Sequence, residues 1–328
     1  MSDSSERNLI ERAAALLKAG ELVSFPTETV YGLGADASNP EALRKLYAAK
    51  GRPSSHPVIV HVAGAEQAKQ WVSSLPESFT ILAERFWPGP LTMVMPRAEH
   101  VPDQVTGGQD TVALRVPAHP LALELLAAFE GGVAAPSANR FGRLSPTKAD
   151  DVRREFGDAV ALVLDGGPCA VGIESTILDL SSGTARILRP GMVIASQIEE
   201  VLGIEVTTHA AETAPALRVP GSLPGHYAPV TPLMLLPWEE LQTKMRQFVA
   251  AGSTVGVLSF KTASDVHGAV NWHQARLDAD DYAQQLYAVL RKLDQLHGQY
   301  ILVEEPPREA QWIGIHDRLR RAANGNSK

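Results

Sequence analysis

The chain has 328 residues, of which 45% are hydrophobic and 20% charged, and this composition is typical of a globular protein rather than a disordered, collagenous or coiled-coil one. At about 100 to 200 residues per domain, the length indicates two domains. The net charge of -7 argues against a protein that mainly grips nucleic-acid phosphates over a wide surface, and the single cysteine, Cys169, excludes an internal disulfide. The first seven residues are polar and no apolar window of about 18 residues exists, so we expect a cytoplasmic protein without a membrane span.

The first two thirds of the chain predict a layered α/β domain around one twisted sheet. Helical spacing of apolar residues predicts a helix over 9–17, followed by a strand over 21–25 and a polar, glycine-containing loop over 26–34. Asn39 and Pro40 predict the N-cap and first turn of a helix that ends at Gly51. Further strands are predicted at 58–62, 91–95, 111–116, 133–135, 159–164, 175–179 and 186–188, and further helices at 79–86, 121–129, 148–156 and 194–202.

A change in composition divides the chain. Residues 1–210 carry the whole net charge of -7, whereas residues 211–328 sum to zero. Prolines concentrate in residues 207–231, which predicts an extended linker between a domain over 1–206 and a second domain over 232–328.

The second domain alternates strands and helices more regularly than the first. Strands are predicted at 230–236, 254–259 and 300–303, and helices at 238–250, 279–296 and 315–323. This order predicts a small, doubly wound, Rossmann-like parallel sheet. It carries neither a Gly-x-Gly-x-x-Gly motif nor a Walker lysine, so we interpret it as a scaffold or a lid.

Cations cluster between Arg44 and His61, where no acidic residue occurs. Lys50 and Arg52 flank a glycine and could hold a phosphate group together. Alternatively, Lys50 simply meets the partial negative charge at the end of its helix. The pattern leaves both readings open.

Polar loops follow several of the predicted strands. They span residues 26–34, 135–147, 172–177 and 189–191, and they share hydroxyls, amides and arginines. No nucleophile elbow, paired carboxylates or zinc-spaced Cys/His set accompanies them. Such side chains suit the stabilisation of an anionic transition state, as in phosphoryl or nucleotidyl transfer, which needs little beyond positioning, charge and a metal ion.

Five ordered motifs together resemble the YrdC/Sua5 family. They are Ser24-Phe-Pro-Thr-Glu-Thr-Val-Tyr-Gly-Leu-Gly34, Lys50-Gly-Arg-Pro53 with His56-Pro57 and His61, Ala135-Pro-Ser-Ala-Asn139, Glu174-Ser-Thr-Ile177 and Arg189-Pro-Gly191. The proline-rich linker, with about 95 residues after it, resembles the longer Sua5 type. The resemblance implies a twisted mixed sheet with a concave active site in the first domain.

The resemblance also implies a function. Members of this family are L-threonylcarbamoyladenylate synthases, nucleotidyltransferases that convert ATP, L-threonine and bicarbonate into threonylcarbamoyl-AMP and pyrophosphate, the first step toward N6-threonylcarbamoyladenosine in tRNA. The implied cofactor is Mg²⁺ with ATP, without zinc or flavin, and no protein ligands for the metal are identifiable. The implied partners are a downstream tRNA-modifying transferase complex and, weakly, tRNA or double-stranded RNA.

The matched motifs assign individual residues to two groups of contacts. Those implied on the threonine and carbamate side are Thr27, His61, Arg115, Ser137 and Ser175. Those implied on the ATP side are Lys50, Arg52, Ser54, Thr111, Asn139, Ser145 and Arg189, with Tyr227 of the linker closing the pocket. The alternatives are hydroxyls that satisfy their own backbone at Ser137 and Ser175, a packed histidine at His61 and an inert buried thiol at Cys169.

Two further functions remain as alternatives. One is a carbamoyltransferase that acts through carbamoyl-adenylate in hydrogenase maturation, and the other is a double-stranded RNA-binding module without turnover. The linker also departs from the family pattern, since residues 222–225 lack the usual methionine and basic residues, and its contact with phosphate is therefore in question.

Overall fold

A computed structural model describes residues 3–208, 217–221, 225–263 and 269–325. Parts of the predicted linker, residues 209–216 and 222–224, lie outside the described residues. The chain forms two compact units. The first consists of Met1–Phe141, Pro146–Ala170 and Glu174–Ser222, and the second of Gly142–Ser145, Val171–Ile173 and Leu223–Lys328.

The first unit is built on a nine-stranded mixed sheet with the strand order β7-β1-β2-β6-β3-β5-β4-β8-β9. The strands are β1 (Val23–Phe25), β2 (Gly32–Asp36), β3 (Ile59–His61), β4 (Leu91–Pro96), β5 (Thr111–Arg115), β6 (Val133–Ala134), β7 (Leu162–Val163), β8 (Thr176–Asp179) and β9 (Arg186–Arg189). The helices are α1 (Asp3–Lys18), α2 (Pro40–Lys50), α3 (Ala65–Ala68), α4 (Glu77–Phe86), α5 (Asp103–Thr106), α6 (Pro120–Phe129), α7 (Ala149–Phe156) and α8 (Ala195–Leu202), with 3₁₀ turns at Lys69–Trp71 and Gly157–Ala159. The mixed α/β sheet expected for this region is confirmed.

Helix α2 begins and ends where its capping residues predict. The Asn39 side chain accepts hydrogen bonds from the amides of Glu41 and Ala42, and Pro40 occupies the first turn. Gly51 ends the helix in the left-handed conformation with φ of 61°. Because these local signals agree, the predicted bounds are correct to within one residue.

Strand β2 lies partly in the segment predicted as a loop, and that prediction was wrong. Its sequence, Gly-Leu-Gly-Ala-Asp, has no β-branched residue and so gives no strand signal. The reason is packing: a Cβ at Gly34 would lie 2.9 Å from the Phe25 ring and from Val133 Cγ1. Glycine is used here because the neighbouring side chains occupy that space.

The second unit contains a four-stranded parallel sheet with the order β10-β13-β11-β12. Its elements are β10 (Leu233–Leu236), α9 (Trp238–Ala250), β11 (Val255–Ser259), β12 (Val270–Gln274), α10 (Ala279–Gln295), β13 (Tyr300–Glu304), a 3₁₀ turn (Ala310–Trp312) and α11 (Ile313–Asn324). The predicted parallel α/β sheet is confirmed, but β12 was missed because this half-buried edge strand is mostly polar. In the part of the chain that the structure describes, no helix combines the length and apolar character needed to cross a membrane.

Candidate active site

One face of the large sheet combines an apolar floor with polar ends. Strands β3 and β5 are parallel, and His61 lies beside Arg115 in their register. Two residues back on each strand, Ile59 and Ala113 share that face and pack into a cluster with Val94, Ile177 and Val219. The titratable side chains of His61 and Arg115 therefore lie next to this apolar cluster, at the carboxyl ends of β3 and β5.

Arg115 is buried and contacts two different segments of the chain. Its Nε donates to the carbonyl of Gly89 at 3.1 Å, and its Nη1 donates to Thr29 Oγ1 at 2.9 Å. Its Nη2 lies 2.7 Å from Glu28 Oε1, in an ion pair whose side chains are 4% and 10% exposed. Glu28 Oε2 also accepts the amide of Ala118 at 2.9 Å. These contacts fix the plane of the guanidinium.

Glu28, Thr29 and Gly89 were missed as partners of Arg115. The sequence offered one signal, because Glu28 is the only carboxylate in the polar loop 26–34. Thr27 of the same loop uses its hydroxyl locally: it donates to the Val30 carbonyl at 2.7 Å and accepts the Thr29 and Val30 amides. Thr27 therefore shapes the loop that carries Glu28 to Arg115.

His61 is held in its neutral form. It is 3% exposed, its ring meets Phe25 edge-on at a centroid distance of 6.1 Å, and burial together with the Arg115 charge lowers its pKa to about 3. A neutral imidazole at this position can accept or donate a hydrogen bond without adding a charge to the site.

The depressed pKa of His61 predicts a specific acid sensitivity. Between about pH 6.5 and pH 3 the unfolded chain binds a proton at this histidine and the folded chain does not, so the free energy of unfolding falls as pH falls. His61→Gln removes this proton, and we expect the slope of unfolding free energy against pH to decrease by up to about 1.4 kcal/mol per pH unit. Urea unfolding at pH 4.5, 5.5 and 7 measures the slope, and equal slopes in both proteins would contradict the prediction.

Ser175 and Arg189 form a second buried polar group on the sheet. Ser175 Oγ lies 2.8 Å from Thr92 Oγ1, and Arg189 Nη2 donates to Ser175 Oγ at 3.1 Å. The Arg189 guanidinium also donates to the Ser175 carbonyl and, through Nη1, to the Pro220 carbonyl at 2.9 Å. The Ser175 hydroxyl thus bonds to other side chains and not to its own backbone, and Arg189 contacts the predicted linker at Pro220.

Lys50 and Arg52 lie at and just beyond the end of α2. The Lys50 ammonium is 2% exposed and donates to the carbonyls of Ser137 and Asn139, while burial and the Arg52 charge lower its pKa. Arg52 Nη2 donates to the Pro57 carbonyl at 2.7 Å, and its guanidinium lies 5.8 Å from the centroid of Phe141. Lys50 therefore joins α2 to the loop that begins after β6.

The remaining predicted contacts are more dispersed. Ser54 is exposed, Thr111 and Ser137 are half-buried, and Asn139 is buried with its Nδ2 donating to the Arg140 carbonyl. Ser145 and Tyr227 belong to the second unit, so the closing role of Tyr227 stays a prediction.

Within the described ranges, no group of three or more His, Cys, Asp or Glu side chains is arranged to hold a metal ion. Cys169 is 1% exposed, and burial raises the pKa of its thiol to about 12, as expected for an inert thiol.

Comparison with known proteins covers both units. A family model for the Sua5, YciO and YrdC proteins, described as "Telomere recombination", matches residues 15–191, and one described as "Threonylcarbamoyl-AMP synthase, C-terminal domain" matches residues 193–324. The chain is 40% identical to the threonylcarbamoyl-AMP synthase of Bacillus subtilis, over 96% of this chain and 93% of that protein. It is 38% identical to the threonylcarbamoyl-AMP synthase of Pyrococcus abyssi, over 96% and 94% of the two chains.

A solved structure gives the same result in three dimensions. The crystal structure of P. abyssi Sua5 complexed with L-threonine matches with a TM-score of 0.87 and 37% identity, over 96% of this chain and 94% of that one. Both domains of the longer type are therefore present. This chain belongs to the YrdC/Sua5 family, as its sequence motifs, its mixed sheet and its second α/β unit all indicate.

Proposed function

We propose that this protein is a threonylcarbamoyl-AMP synthase, which joins ATP, L-threonine and bicarbonate and releases pyrophosphate. The observation that carries the proposal is the match, over 96% of this chain, to proteins that bear this name. The match covers more than 90% of the length of each of these two relatives, so it includes both domains and not merely one of them. L-Threonine is proposed as a substrate because it is the ligand of the P. abyssi structure.

The proposed threonine site lies around Arg115. A guanidinium held by Glu28, Thr29 and Gly89 keeps N–H groups in a fixed plane, which suits the bidentate recognition of a carboxylate. Glu28 balances the arginine charge, so a bound carboxylate would face a partly neutralised cation. Neutral His61, beside Arg115 in the sheet register, would then contact the amine or carbamate without repelling it electrostatically.

The proposed ATP site uses the cations of the Lys50 and Arg189 regions. Arg189 lies at the end of β9 and Lys50 at the end of α2, and the resemblance assigns both residues to the ATP side. Lys50 would act on the Pro136–Asn139 loop through its two carbonyl contacts, and Arg52 would offer its planar fork to phosphate. Mg²⁺ would arrive on the ATP phosphates, as this ion usually keeps waters and phosphate oxygens as ligands, and would neutralise the departing pyrophosphate.

The proposed reaction passes through a carbamate of threonine. Bicarbonate takes up a proton and loses water to give CO₂, and the threonine amine then attacks the carbon of CO₂ and loses a proton, which gives the N-carboxylate. An oxygen of this carbamate then attacks the α-phosphorus of ATP, and the bond from that phosphorus to the β-phosphate bridging oxygen breaks as pyrophosphate leaves. Fixed donors around the reacting groups would stabilise the charge that develops on the phosphate oxygens.

Omission of single substrates tests this proposal. Pyrophosphate should form when ATP, L-threonine and bicarbonate are present together, and should fall to background when any one is left out. Release at an undiminished rate without threonine would reject the proposal. Tight RNA binding at physiological salt without turnover would instead favour the RNA-binding alternative.

Localisation and downstream partners follow only from the proposed role. A synthase for tRNA modification would act in the cytoplasm and hand its adenylate to a transferase that modifies adenosine in tRNA. The net charge of -7 predicts that direct contact with tRNA is weak and steeply dependent on salt.

A further inference from the structure

The second unit includes two short segments that come from far earlier in the chain than the rest of it. They are Gly142–Ser145 and Val171–Ile173, and both are grouped with Leu223–Lys328. The first carries Ser145, a predicted ATP contact, and the second immediately precedes the Glu174-Ser-Thr-Ile177 motif. Two motif-bearing loops are thus part of the packing of the second unit.

Gly172 approaches α10 too closely for any side chain. It has φ of +83°, and a Cβ at this position would lie 2.4 Å from the Ala283 carbonyl oxygen and from Gln284 Cα. Both atoms belong to the backbone of a regular helix, which cannot yield as a flexible side chain could. The loop at Gly172 therefore rests directly on the backbone of α10.

The segment Gly142–Ser145 is held by hydrogen bonds from the same unit. Arg291, on α10, donates through Nη2 to the Leu144 carbonyl at 2.9 Å. The amide of Ala228 donates to the Gly142 carbonyl at 2.9 Å, and Ala228 forms a bridge with Arg143. One helix therefore contacts both early segments, Gly172 in its first half and Leu144 in its second half.

We propose that α10 is a positioning element for catalysis: the Ala283–Gln284 turn seats the Gly172 loop, and Arg291 holds the Leu144 carbonyl next to Ser145. This inference rests on the proposed synthase function and gives the second unit a role in it. Neither Arg291 nor Gly172 is assigned a contact with a reacting atom. Both act through the backbone of the loops that they fix.

The first test separates close packing from backbone strain. Gly172→Ala is paired with Gly183→Ala, because Gly183 has a similar φ of +79° and a Cβ there would meet no atom of the described residues within 4 Å. A displacement of about 1 Å at a loop beside an active site can lower the rate on the order of a hundredfold. We therefore expect kcat/KM to fall by about tenfold or more in Gly172→Ala and by less than about twofold in Gly183→Ala. Equal values for the two variants would overturn the proposal.

The second test keeps the proposal falsifiable if Gly172→Ala does not fold. Arg291→Met should raise the KM for ATP and speed amide exchange at residues 143–145. Arg291→Lys should bring the KM and the exchange rate part of the way back to the wild-type values. Lys292→Met changes the exposed neighbouring position and should match the wild type in both measurements. If Arg291→Met behaves as Lys292→Met does in both readouts, the proposal fails. Absence of threonine-dependent pyrophosphate release in the wild type would instead reject the proposed function, while the exchange measurement would still decide the loop contact.

Discussion

Arg115→Ala is expected to lower the free energy of unfolding by about 3 to 5 kcal/mol and to abolish threonine-dependent turnover. The loss of stability follows because Glu28, whose side chain is 10% exposed, would lose its ion-pair partner. Thr29 and the Gly89 carbonyl would lose their donors as well. Urea unfolding and pyrophosphate release measure the two effects separately.

A double variant separates stability from activity at this site. Glu28→Gln combined with Arg115→Met removes both charges and leaves an amide oxygen that can still accept the Ala118 amide. We expect this protein to be more stable than Arg115→Ala and equally inactive, because neutral replacements avoid the unpaired buried carboxylate. A double variant less stable than Arg115→Ala would show that the ion pair is not what makes the single change costly.

Lys50→Met is expected to reduce kcat/KM for ATP by about tenfold or more, with a loss of about 1 to 3 kcal/mol in unfolding free energy. The carbonyls of Ser137 and Asn139 would lose a buried donor, so the loop that carries Asn139 would no longer be tied to α2. The stability loss is smaller than at Arg115, because methionine also removes the cost of burying an ammonium group, which is the main cause of the lowered pKa of Lys50.

Lys45→Met is the matched control on the same helix. Lys45 is about half exposed and pairs at 2.7 Å with the equally exposed Glu21, and surface pairs of this kind contribute about 0 to 1 kcal/mol. We expect near wild-type activity and stability from this variant. If Lys45→Met and Lys50→Met lost activity to the same extent, the anchoring role of Lys50 would be wrong.

Elements with local signals could be predicted from the sequence. The Asn39 cap, Pro40 and Gly51 set the bounds of α2, and apolar runs located most strands of the large sheet. Strands β2 and β12 were not predictable in this way. Glycine is required at position 34 because the Phe25 and Val133 side chains fill the space beside it, and Val133 is remote in sequence. Strand β12 is a polar edge strand that is defined by its pairing with β11.

The candidate site shows the same division. Residue types in the motifs predicted a pocket of hydroxyls, amides and arginines, but not the partners of each side chain. The Glu28 ion pair with Arg115 joins positions 87 apart, and the contacts of Lys50 reach the carbonyls of a loop almost 90 residues away. Such contacts depend on strand order, which no local pattern in this chain specifies.

The most direct test of the proposed function follows the carbon atom. The protein is incubated with ATP, L-threonine, Mg²⁺ and ¹³C-bicarbonate, and the adenylate product is analysed by mass spectrometry. We predict an AMP derivative that contains threonine and one ¹³C atom and that appears in step with pyrophosphate. An adenylate that contains threonine but no ¹³C, or pyrophosphate without any labelled adenylate, would contradict a threonylcarbamoyl-AMP synthase.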